Sequence, residues 1–324
     1  MLLAETARAI AATSNAMACD ITVRVDIPAN DQHAESLAHD AVGEALRVFT
    51  DVDRTCTRFT ADSDLMRANA RGGEFVPVDR YCFDALVEAY AAYRRTQGRF
   101  DPRVLDDLVR LGYDASYRRR RPHAKDGEQA LLLRPELPQW EPKFRGVSGE
   151  VMVGAHAVDL GGIGKGLAVR WAADVLRARG LCDFFVEAGG DCFCSGRPSD
   201  AAGWRVSVED PCGATQPVAV LELRDEAVAT SSVRIRSWQI AGQEVHHLID
   251  PTSGRPGGAG LVAVTVVDAD PARAEVWSKV LFLAGSTGIA TTAALLHVPA
   301  LWVDVDGVVG LSADLGHRLI WRAP

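Results

Sequence analysis

The stretch Val158-Asp159-Leu160-Gly161-Gly162-Ile163-Gly164-Lys165-Gly166 joins an apolar run to a turn rich in glycine. Glycine lets backbone approach a ligand or another element closely. Upstream, Val151 to Leu160 is apolar and reads as a strand. Downstream, Gly164 to Gly180 carries Leu167, Trp171 and Val175 at helical spacing. The turn fails the P-loop template, because Gly166 rather than Ser or Thr follows Lys165. It fails the dinucleotide template too, because no glycine stands three residues beyond Gly164. What survives is a set of free N–H groups at a helix start, which suits an anion. A tight strand-to-helix turn with no ligand explains the segment equally well.

Working outward, Ile21–Ile27 alternates and reads as a strand, and Ala34–Val48 as an amphipathic helix. Ser63 caps a short helix, Tyr81–Gln97 is a helix stopped by Gly98, and Asp101-Pro102 opens another. Phe184–Val186 and Asp191–Ser195 flank Gly189-Gly190 as a hairpin, and Val233–Ile240 and Val245–Ile249 flank Gly242 as a second. Strands are expected at Trp204–Val208, Val218–Leu223, Ala227–Thr230 and Leu261–Val267. Helices are expected at Ala272–Leu283 and Ile289–Leu296, and a last hairpin turns at Asp306-Gly307. Hairpins mixed with helices, without strict βαβ alternation, predict an α+β fold of largely antiparallel sheets flanked by helices. Residues 1–16 read as an N-terminal arm, a short helix or a frayed end. Residues 17–324 read as one two-lobed domain, with a variable basic loop at about 115–148 holding one strand at Ala130–Leu133.

The 324 residues are 48% hydrophobic and 24% charged, an ordinary globular balance. The net charge of −8 argues against nucleic-acid binding. Arg118-Arg119-Arg120-Arg121 reads as a solvated loop. Seven scattered cysteines point to a reducing compartment rather than a disulfide framework, with Cys192 and Cys194 buried on one face of a strand. The start lacks a signal-peptide pattern and no apolar run is long enough for a membrane span, so the chain reads as cytoplasmic.

Three further segments carry chemistry. His246-His247 precedes Leu248-Ile249-Asp250-Pro251-Thr252-Ser253-Gly254, and the two imidazoles point to opposite sides of a strand. His247, nearer the turn, suits a general base or a phosphate partner, although Asp250 to Gly254 fits an ordinary turn. Thr230 and Ser231 end a strand, where hydroxyls serve a phosphate or the turn itself. Glu275 and Lys279, at i and i+4, read from spacing alone as a surface ion pair.

In this order, these segments resemble the ApbE-type family of FAD:protein FMN transferases. The resemblance rests on Val158–Gly166, Glu187-Ala188-Gly189-Gly190-Asp191, Ala229-Thr230-Ser231-Ser232, His247–Gly254 and Ala274-Glu275 through Gly285. Ser63-Asp64-Leu65 with Asn69, and Gly98-Arg99-Phe100-Asp101-Pro102, extend it into the N-terminal half. It implies a two-lobed, T-fold-like architecture that cleaves FAD and moves FMN onto a Ser or Thr of an acceptor protein, with magnesium assisting. It further implies FAD contacts from Met17, Phe59, Arg99, Phe100, Asp101, Asp159, Lys165, Thr230, Ser231, His247, Ile249 and Asp250, with His247 catalytic. Metal ligands would fall on the Gly162 carbonyl and on Glu275, with Ser278 beside them. Here the family's usual Asp and Thr on the helix are replaced by Glu275 and Lys279, and an ammonium has no lone pair for a metal. That departure keeps an alternative open: a flavin-binding relative, or an FAD pyrophosphatase, without transferase activity.

Overall fold

A computed structural model describes residues 7–29, 31–115, 127–199 and 201–323. Its spine is an eight-stranded antiparallel sheet whose spatial order follows the chain. The strands are β1 (Ala7–Ala16), β2 (Cys19–Pro28), β3 (Phe184–Ala188), β4 (Asp191–Ser195), β5 (Glu226–Ser232), β6 (Leu261–Asp268), β7 (Ala300–Asp304) and β8 (Val309–Leu311). The helices are α1 (Gln32–Cys56), α2 (Asp64–Ala70), α3 (Arg80–Arg95), α4 (Leu105–Arg110), α5 (Gly164–Ala178), α6 (Pro271–Leu283) and α7 (Gly285–Leu296). The mixed, antiparallel α+β expectation holds.

Helices α1, α5 and α6 lie side by side on one face of the sheet. Their apolar sides meet Ile21, Val23, Phe184, Val186, Val264 and Val266 in the main core. A three-stranded sheet of Trp204–Val208, Ala219–Leu223 and Leu319–Arg322 covers the other face. Cys192 and Cys194 point into this second core with Leu221 and Leu223. A third cluster, with Leu111, Tyr113, Trp238 and Ile249, sits under the Ser237–Ile240 and Gln243–His246 hairpin.

Several local expectations are corrected. Residues Ala7–Ala16 form no helix or frayed arm; they pair with β2 along their whole length. Asp101-Pro102 opens no helix, because the Asp101 carboxylate is held by Arg103, and α4 starts at Leu105. Gly127–Leu131 is a 3-10 turn instead of a strand at Ala130–Leu133. Only Glu150–Met152 of the apolar run before the glycine turn is strand, since Gly154 has φ +99°. Arg118–Arg121 lies outside the described residues.

Candidate active site

Four separate pieces of chain meet at one end of the helical layer. The first is the two-residue turn between β1 and β2. Met17 and Ala18 have φ of +52° and +59°, the left-handed pair a tight hairpin needs but that non-glycine residues resist. The Met17 N–H donates to Asp53 of α1 at 2.9 Å, which holds the strained turn against that helix. The second piece is the segment Arg58-Phe59 beyond α1. The third is the glycine turn, stapled to α2 by Asn69, whose amide both donates to and accepts from Val158 at 2.9 Å. The fourth is the segment from Arg236 to Ile249.

Between them lies a cavity of about 910 Å³, a size that fits a small-molecule ligand. Met17, Phe59, Arg99, Phe100, Asp101, Asp159, Gly162, Lys165, His247 and Ile249 all line it. Thr230, Ser231, Asp250, Glu275 and Ser278 do not. Thr230 bonds Thr265 at the edge of the core, and Ser231 bonds Ser278 inside it. Asp250 accepts from the Thr252 N–H and the Ser253 hydroxyl, so its segment is the ordinary turn its composition allows.

Asp159 organises the turn from within. One oxygen accepts the Gly161 N–H at 2.7 Å and the other pairs with Arg58 at 2.7 Å. Arg58, passed over in the sequence, lies sandwiched 4.3 Å from the Phe59 ring and 4.5 Å from the Tyr113 ring. Its Nη2 is buried without a hydrogen-bond partner at the cavity wall. The available signal was the single aromatic Phe59 beside it in a polar segment. Asp101 is likewise engaged, by Arg103 at 2.6 Å.

Beneath the glycine turn lies a buried ionic cluster. Lys165 pairs with Asp191, Lys279 stands 3.3 Å from one Glu275 oxygen, and Lys165 stands 3.7 Å from that same oxygen. The other Glu275 oxygen accepts the Gly166 N–H at 2.8 Å. The anion drawn to the start of α5 is thus the chain's own carboxylate. Glu275 is 1% exposed, so the expected surface pair is in fact a core element. Burial opposes the charge on Lys165, but Asp191 and Glu275 outweigh it and hold the ammonium above the ordinary lysine range. Burial raises Asp191, and the two lysines prevail over burial to lower Glu275.

This donor set does not fit magnesium. Mg²⁺ asks for hard oxygen ligands in a near-octahedral shell. The one acidic side chain at the expected ligand positions, Glu275, is already engaged by Lys279, Lys165 and the Gly166 N–H. The Lys279 stem also crosses the glycine turn, its Cδ 3.3 Å from where a Gly162 Cβ would stand.

His247 borders the cavity, while His246 turns away to meet Phe282 edge-on. Burial pushes His247 well below its usual range, reinforced by Arg236, His246 and Lys279. Its Nδ1 stands 3.4 Å from the Arg236 carbonyl, which can only accept, so the other ring nitrogen is the basic one.

Residues 17–302 match the sequence model of the ApbE family. A protein of Vibrio cholerae called FAD:protein FMN transferase is 28% identical over 262 residues, spanning 79% of this chain and 77% of its own. One of the same name from Treponema pallidum is 28% identical over 325 residues, spanning 93% and 85%. The crystal structure of the ApbE protein of Thermotoga maritima superposes with a TM-score of 0.79 at 25% identity, covering 96% of this chain and 99% of that one. The apo flavinyl transferase ApbE of Pseudomonas stutzeri shares the fold, with a TM-score of 0.78 at 24% identity over 98% of each chain. No helix among the described residues is long and apolar enough to cross a membrane. By the extent of the family match and the agreement of fold, the chain belongs to the ApbE family.

Proposed function

We propose that the protein binds FAD in this cleft and transfers its FMN half to a Ser or Thr hydroxyl of an acceptor protein, releasing AMP. The observation that carries the reading is the convergence of Met17, Phe59, the glycine turn, Lys165 and His247 on one cavity in a chain of this family. Phe59, Tyr113 and Leu248 offer apolar surface for a planar ring. Lys165, Arg236 and Lys279 line the same wall and supply positive charge for a diphosphate.

In this reading the acceptor hydroxyl oxygen attacks the phosphorus of the FMN half. A P–O bond forms to the acceptor, and the bridging P–O bond to AMP breaks, its electron pair leaving on the AMP oxygen. Neutral His247 takes the hydroxyl proton and returns it to solvent. The depressed basicity of His247 keeps it unprotonated, and so able to act, through the neutral range. The cationic wall offsets charge on the leaving phosphate.

The test is intact mass of a candidate acceptor from the same genome after incubation with protein and FAD. The expected result is one FMN phosphoester per acceptor, formed about 10²–10⁴-fold more slowly by His247→Ala. FAD that binds but never labels an acceptor counts against the transfer step; an undiminished rate in His247→Ala removes that residue as the base.

A further inference from the structure

We propose that the Lys279 ammonium supplies, at the FAD diphosphate, the positive charge that a divalent cation would otherwise provide, so that this protein engages FAD without metal. The inference rests on the FAD reading above and deepens it.

Both oxygens of Glu275 and both oxygens of Asp191 are already taken, by Gly166, Thr230, Lys165 and Lys279. Two carboxylates each face an ammonium, so they offer a metal no uncompensated negative charge. Of the four, only the two lysines reach the cavity wall. Lys165 is fixed between Asp191 and Glu275, whereas Lys279 holds Glu275 alone, with its Nζ also 3.4 Å from the Glu275 carbonyl. Its stem lies against Phe100's neighbour Gly162, so the ammonium is delivered beneath the glycine turn. A divalent ion brought to the Glu275 carboxylate would have to displace a paired ammonium and would meet like charge from Lys165. A fixed cation in a desolvated wall acts on phosphate charge more strongly than one in water. It needs no metal to be recruited with each substrate.

The test is FAD binding by fluorescence quenching to full-length, metal-stripped protein in chelator, repeated with magnesium. Riboflavin, which lacks phosphate, serves as the comparison ligand. Wild-type protein is expected to bind FAD equally with and without magnesium. Lys279→Met is expected to weaken FAD binding in chelator about 10- to 100-fold while leaving riboflavin binding unchanged. Because K279M strands a buried carboxylate, the double variant Glu275→Gln with Lys279→Met keeps the cluster balanced and should show the same selective loss. Lys279→Arg, which retains the charge, should restore chelator-resistant binding. Wild-type binding that appears only when magnesium is added overturns the inference and leaves the FAD reading intact. Equal losses of FAD and riboflavin in the double variant, or no loss in either, overturn it as well. Absence of FAD binding under every condition defeats the functional reading, and the inference with it.

Discussion

His247 and His246 are adjacent in the chain, yet burial suppresses the protonation of both for different ends. His246 packs on Phe282 and is pushed down to about 4, mainly by burial. His247 is lowered well below the usual histidine range, mainly by burial, while facing the cavity. Both pKa values fall on folding, so between the unfolded value and the folded one the unfolded chain binds more protons. Stability is therefore full above about pH 6.5 and declines as pH falls below it, with a slope of up to about 1.4 kcal/mol per pH unit for each histidine. Chemical denaturation across pH 7 to roughly pH 4 measures this. His246→Phe should flatten part of the slope, and an unchanged slope would show that His246 does not contribute to it. The sequence disclosed His247 because its place before a turn differs from that of His246. It did not disclose Arg58, since an arginine in a polar loop looks solvated until two aromatic rings are seen to enclose it.

At the scale of elements, the glycine turn and the hairpins were legible because period-two alternation and turn residues are local signals. The Ala7–Ala16 stretch was not. Its alanines favour helix in isolation, and ten residues of pairing with β2 override that preference. Helix α6 hid its ion pair for a related reason. It buries Ala272, Ala274, Val276, Val280, Leu281 and Phe282 among the sheet and its neighbouring helices, so apolar residues lie on most of its sides and an i, i+4 pair that looks external is internal. Contact between α5 and α6 depends on Gly166, where a Cβ would stand 2.5 Å from the Pro271 carbonyl oxygen and 2.7 Å from the Ala272 Cα. Both are backbone atoms, so Gly166→Ala must separate the helices that carry Lys165 and Glu275. The expected cost is about 1–3 kcal/mol. Gly43 lies in α1 with only the tip of Arg47 near, at 3.7 Å. Gly43→Ala should therefore stabilise by about 0.5–1 kcal/mol through helix propensity. Thermal melting of the two variants checks both signs, and a harmless Gly166→Ala would mean the helices do not meet as described.

Across the whole molecule, the sheet separates two cores and leaves the cleft at the end of the helical layer, where segments distant in sequence converge. No single motif announced that convergence. The glycine turn alone was compatible with an empty structural bend, and the Asp250 carboxylate is engaged within its own turn. What makes a site is the wall built jointly by the strained Met17 turn, the Asp159-ordered glycines, the buried lysines and His247. An acidic chain of net charge −8 thereby presents several cations to one cavity. Calorimetric titration with FAD, and with NAD as the comparator diphosphate, tests that claim most directly. The prediction is saturable FAD binding, at least about tenfold tighter than NAD, which corresponds to roughly 1.4 kcal/mol of discrimination by the flavin half. Absence of FAD binding, or equal affinity for NAD, would contradict it.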